Sequence, residues 1–121
     1  MALHPETASA AEAAAYAIDD KKGLDVVLLD VSRVIVLTDV FVIGSGTSRR
    51  HVKTLADEVE FRLRGIDRRP LRREGVGDAT WVLLDYGDVV VHLFDQETRS
   101  YYDLERLWAD APRLEFEPAT S

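Results

Sequence analysis

The 121-residue chain has 46% hydrophobic and 31% charged residues, a net charge of −7 and no cysteine. A chain of this length fits one domain, which buries roughly two-thirds of its unfolded surface and needs no covalent staple. The lack of cysteine excludes disulfides, thiolate metal sites and cysteine nucleophiles and suits a reducing cytoplasm, while the acidic balance disfavours general binding to nucleic acid.

The opening stretch MALHPETASAAEAAAYAIDDKKG carries acids and no basic leading segment, so it does not read as a secretory signal. No apolar run approaches the length of a membrane span. From about Glu6 to Lys22 an alanine-rich helix is predicted, with Ala14 and Ile18 on one face and Gly23 as its stop. Its small apolar bulk predicts weak packing. Asp25 to Asp30 reads as a buried strand, Val34 to Leu37 as a second short one, and Asp39 to Ser45 as a third. The first and third are expected to be neighbours, with a turn or bulge at Ser32-Arg33. The run Gly44 to Ser48 is expected to break the third strand, and Thr47 or Ser48 to cap the helix that follows. There Val52, Leu55, Ala56, Val59 and Leu63 recur at helical spacing, and Gly65 ends the pattern.

Pro70 to Glu74 reads as an extended edge, because proline and charge both suit an unpaired flank. Gly75 and Gly77 make a loop. Thr80 to Leu84 and Val89 to Phe94 form a hairpin through Asp85-Tyr86-Gly87-Asp88, with Gly87 supplying the positive φ of a tight turn. VVVHLF is apolar on both faces and should be a central strand. Asp103 is expected to cap a short helix with Leu104, Leu107 and Trp108 turned inward, ended by Pro112. Residues 1–114 then form a single α/β or α+β domain, a mixed sheet with helices packed on it, and 115–121 a flexible tail.

Glycine-rich Gly44 to Ser48, between strand and helix, is where backbone N–H groups cradle a phosphate in some folds. It has no lysine in Walker spacing and no G-x-G-x-x-G pattern, so a tight turn with an N-cap is the simpler reading. A Gly-Ser at such a turn is also found in nucleotidyltransferases, which need paired carboxylates on the next strand to hold metal ions. Here the acids that follow, Asp57, Glu58 and Glu60, fall within the helix pattern. A nucleotide-binding enzyme of that kind remains the alternative reading. His4, His51 and His92 match no metal spacing, and His92 reads as a partly buried, hydrogen-bonded strand residue. No serine lies in a G-x-S-x-G turn.

Charge is uneven. From Arg49 to Arg73 nine Lys and Arg face four acids, a segment of +5 that leaves the rest at −12. The arginines from Arg62 to Arg73 either touch RNA phosphates or form a solvated face beside a charge-protected edge strand. Strand alternation puts Trp81, Leu83 and Asp85 on one side and Val82, Leu84 and Tyr86 on the other. Trp81 with Asp85, Tyr86 and Asp88 is either a protein-binding patch selecting a basic partner or a core tryptophan beside turn acids.

Three motifs in order resemble the ribosomal silencing factor family, also called the Iojap-like proteins. They are T-D-x-F-V-I-x-x-G-T-S from Thr38, W-x-x-x-D-x-G-D-V-V-V-H from Trp81, and Y-x-L-E-x-L-W from Tyr102. The resemblance runs from about Gly23 to Pro112. It implies a fold similar to a nucleotidyltransferase core without the catalytic carboxylates, no enzymatic activity, no cofactor and no metal. It further implies cytoplasmic binding to ribosomal protein L-fourteen on the large subunit, which blocks the small subunit and represses translation in starvation or stationary phase. Carried over, the docking residues are Trp81, Asp85, Tyr86 and Asp88. Arg68, Arg69 and Arg72 are then expected to face rRNA, and the apolar hairpin strands to pair two chains when no ribosome is present.

Overall fold

The computed structural model describes residues 3–116. In chain order its elements are α1 (Pro5–Asp20), β1 (Leu24–Asp30), β2 (Val40–Gly46), α2 (Arg49–Gly65), β3 (Arg72–Glu74), β4 (Trp81–Asp85), β5 (Val89–Asp95), α3 (Gln96–Tyr102), α4 (Leu104–Leu107) and β6 (Arg113–Leu114). The strands make one six-stranded mixed sheet in the order β3-β4-β5-β2-β1-β6. Only β2 and β5 run parallel, in register from Val40↔Val89 to Gly46↔Asp95. The expected mixed-sheet single domain is therefore the observed one, with β5 between β4 and β2.

α1 and α2 cover one face of the sheet. Val52, Leu55, Ala56, Val59 and Leu63 of α2 are all buried, as their spacing requires, against Val82, Leu84, Val89, Val91 and Leu93. Full burial of each larger aliphatic chain contributes about 1.5–3 kcal/mol. Ser48 caps α2 by accepting from the His51 N–H.

α1 does not pack weakly. Ala10, Ala14, Ala15, Ala17 and Ile18 are fully buried. Small side chains replace apolar bulk with close approach, and two glycines complete the fit. A Cβ on Gly44 would stand 2.9 Å from Ile18 Cγ2, and one on Gly23 only 2.2 Å from it. Gly23 also donates to the Ile18 carbonyl, while Lys22, at φ 63, takes the left-handed position that ends the helix.

Three further expectations are corrected. Gly44, Ser45 and Gly46 do not break the strand but extend β2 along β5. Val34 to Leu37 is no strand: Val34 and Ile35 both donate to the Val31 carbonyl in a turn, leaving Val36 99% and Leu37 88% exposed. Both edges of β2 and the outer edge of β1 are already paired, so this run finds no ladder to join. Ser32-Arg33 is the expected turn, and a separate bulge lies at Leu24–Val27, where Asp25 has φ 50. Asp103 adopts φ 47 and makes no side-chain cap, and Leu104 and Trp108 turn inward while Leu107 is exposed.

α3 and β6 have no counterpart among the elements expected from the sequence. Asp95 caps α3 through the Thr98 N–H, and β6 pairs with β1. Phe116 meets Tyr16 edge-on at 5.0 Å; the rest of the tail, 117–121, lies outside the described residues.

Candidate functional site

Among the described residues, the second face of the sheet is covered only in part, by α3, α4 and the loop leading to Ala111. Leu29, Phe41, Ile43, Val90 and Phe94 are buried there, with Trp81, Leu83, Ile35 and Trp108 half-covered around them. Strand alternation puts these aromatics in a row. Trp81 stacks on Phe94 at 5.0 Å and meets Tyr102 at 4.6 Å; Phe41 lies 4.7 Å from His92 and 6.1 Å from Trp108. Tyr101 and Leu107 flank the row, 81% and 67% exposed.

His92 fixes the tryptophan. The Trp81 indole N–H donates to His92 Nδ1 at 3.2 Å, so the neutral ring carries its proton on Nε2. That Nε2 is buried and meets no acceptor among the described residues. Burial, opposed by the charge of Asp85, pushes the imidazole down to about 4. The expected hydrogen-bonded strand histidine is thus observed, and its partner is the candidate docking residue.

At the far end of β4 the hairpin is tied down by charge. Asp85 accepts from the Gly87 N–H at 2.8 Å and pairs with Arg72 at 3.2 Å. Asp88 is bonded by Arg68 and, at 2.7 Å, by the Thr7 hydroxyl of α1. Burial would raise the Asp88 carboxyl, but the hydrogen bonds from Arg68 and Thr7 and the Arg68 charge outweigh it and hold it below the usual range. Arg68 also donates to the Tyr86 carbonyl at 3.1 Å.

Tyr86 does not stand with Trp81. It is 4% exposed, on the helix-covered face, and burial followed by the Glu60 charge pushes its phenol up to about 12. As a direct surface contact it is corrected: the alternation that separates it from Trp81 also buries it. The arginines Arg68 and Arg72 belong to the same hairpin network as Asp88 and Asp85, and Arg69 reaches Asp67 at 3.5 Å. Two surfaces that read as separate in the sequence are one ion-paired unit.

The Gly-Ser position is filled from within. Ser45 Oγ donates to the Leu24 carbonyl at 3.2 Å and accepts from Arg99 at 3.1 Å. Arg99 is buried and pairs with Glu105 at 2.9 Å. Of the acids that follow, Glu58 pairs with Arg62 and Glu60 with Arg73. Sequence reasoning missed Arg99 because the partners that tie it to the Gly-Ser position, Ser45 and the Leu24 carbonyl, are 54 and 75 residues away.

His51 spans two segments. Its Nδ1 accepts from the Thr47 N–H at 2.9 Å, so Nε2 carries the proton and donates to the Lys21 carbonyl at 2.7 Å. This joins the end of α1 to the start of α2.

The fold and these residues have counterparts. The family model described as "Ribosomal silencing factor during starvation" matches residues 4–121. A ribosomal silencing factor of Halalkalibacterium halodurans is 43% identical over 110 residues, 89% of this chain and 92% of that protein. The one from Bacillus subtilis is 42% identical over 99 residues, 82% and 84% of the two chains. A crystal structure of a Chromobacterium violaceum protein superposes with a TM-score of 0.83 at 34% identity, covering 95% of this chain and 93% of that one. With fold, motifs and near-complete coverage in agreement, the chain belongs to the ribosomal silencing factor family, whose name places it in the regulation of translation.

Proposed function

We propose that the protein binds the large ribosomal subunit through ribosomal protein L-fourteen and keeps the small subunit from joining, lowering translation in starvation or stationary phase. The observation that carries this reading is the partly open aromatic face. Trp81 is oriented by His92, stacked on Phe94 and flanked by exposed Tyr101 and Leu107. Aromatic anchors of this kind dominate protein interfaces. Asp85 and Asp88 act here by holding the hairpin rigid, with Asp85 at the rim, and Tyr86 acts from beneath as support.

Subunit blocking needs only occupancy and bulk, so no active site is required. A −7 chain is steered towards basic ribosomal proteins in the cytoplasm. Arg99 in the Ser45 position weighs against the nucleotide-transferring alternative, since the hydroxyl is already engaged. No helix among the described residues is long and apolar enough to cross a membrane. Free chains are proposed to pair through the same apolar face, which ribosome binding would uncouple.

Sucrose-gradient profiles of subunit reassociation test the reading. Wild type should hold subunits apart, and Trp81→Ala should let them rejoin at the same protein concentration. Wild type that leaves reassociation unchanged would refute it.

A further inference from the structure

We infer that the junction between α1 and α2 is a second contact surface, which takes the phosphate backbone of rRNA. It is built from Lys21, Lys22, Arg49, Arg50 and Lys53, all exposed. The His51 bond to the Lys21 carbonyl brings the two groups, far apart in sequence, to one end of the molecule. Most of the arginines expected to face RNA are already paired: Arg62, Arg68, Arg69, Arg72 and Arg73 each meet a carboxylate, Arg69 only at the surface, while Arg64 forms no ion pair among the described residues. None of the five cations at the junction does so among the described residues. Of the nearby carboxylates, Asp20 and Glu58 are both held by Arg62; Asp57, one turn on from Lys53, lines a cavity with Lys21, and Asp19 and Asp25 flank the two lysines in the chain, so the five cations still outnumber the acids that Arg62 does not hold.

Placement gives the second argument. Arg49 and Arg50 occupy the first turn of α2, which has no acid. The positive end of the helix dipole repels cations there, so these residues oppose the helix they begin. An anion set against this end would turn the repulsion into attraction, because dipole and guanidinium groups then act together. A ribosome offers that anion as rRNA phosphate beside its proteins. Such a contact gives an acidic protein a directed orientation: the aromatic face meets protein while the basic end meets RNA. The inference rests on the ribosomal reading above.

The test uses the full chain, purified bacterial large subunits and isolated ribosomal protein L-fourteen. The variant is Arg49→Glu with Arg50→Glu. Acids suit the first turn of a helix, so its melting temperature should be unchanged or higher, and a fall in binding cannot be ascribed to unfolding. Affinity for the subunit should fall at least about tenfold, and the slope of log affinity against log salt should flatten by about 2, close to one unit for each phosphate that is no longer neutralised. Binding to isolated L-fourteen should not change. Equal affinity and equal salt slope on the subunit would overturn the inference. An equal fall on isolated L-fourteen would overturn it too, because the cations would then touch protein. Failure of wild type to bind subunits would instead remove the ribosomal reading. Competition by a free nucleoside triphosphate on wild type but not the variant would overturn it by reassigning the site to a small nucleotide.

Discussion

His92 should make this protein acid-sensitive well above the range where carboxylates titrate. Burial takes the ring from its ordinary 6.5 to about 4, so the folded state prefers the neutral form. The sign follows from linkage. Stability is fully present above pH 6.5 and is lost as pH falls towards 4, because the unfolded chain binds the proton first. The slope is about 1.4 kcal/mol per pH unit inside that window, which amounts to about 2 kcal/mol between pH 7 and pH 5. The perturbation is His92→Asn, which leaves an acceptor near the Nδ1 position and cannot titrate. Urea unfolding at pH 7, 6 and 5 should show wild type losing about 2 kcal/mol more than the variant, with the other two histidines common to both. The same protonation places a hydrogen on Nδ1 and ends its bond to Trp81, so the Trp81 indole N–H resonance should shift on the same titration. Equal pH dependence in the two proteins would refute the reasoning, since it would mean the ring is not buried neutral.

Two other perturbations test the framework of the hairpin. A Cβ on Gly75, at φ +77, would stand 1.9 Å from the Trp81 carbonyl oxygen, while one on Gly77 would meet nothing within 4 Å. Gly75→Ala should therefore cost about 3 kcal/mol or more and Gly77→Ala within about 0.5 kcal/mol, read from thermal melts; equal effects would show the backbone there gives way. Arg68→Ala leaves Asp88 with Thr7 alone and should cost about 1–2 kcal/mol at pH 7. Because the Asp88 carboxyl is held low, the ion-pair share of that cost should be lost as pH falls below its usual titration range, leaving only the share from the Tyr86 carbonyl bond; a cost that does not fall at all by pH 2 would count against the ion pair.

What could be read in the sequence was whatever local periodicity controls. The spacing of Val52, Leu55, Ala56, Val59 and Leu63 specified α2, and the doubly apolar VVVHLF run specified a central strand. Ser48 as a cap and Gly87 at positive φ are local chemistry and were legible for that reason. The motif set was enough to indicate the family. Local patterns misled where long-range pairing decides. Val34 to Leu37 has strand composition but no open ladder, and Gly44 to Gly46 has turn composition but a parallel partner in β5.

For the candidate site the division is sharper. Alternation alone put Trp81 and Asp85 on one face and Tyr86 on the other. Only the tertiary structure decided that Tyr86's face is the one the helices bury, because α1 brings alanine surfaces and Gly44 and Gly23 allow it close. Charge counting found a basic middle segment but not which cations are free. Ion pairing depends on distances between residues far apart in the chain, and these leave Arg62 to Arg73 largely neutralised while His51 assembles the open cations at the other end. The sequence by itself determined the main helix α2, the hairpin strands, the family and the tryptophan strand. The fold decided which side chains face outward and which charges remain unpaired, since both depend on packing between segments rather than on any one of them.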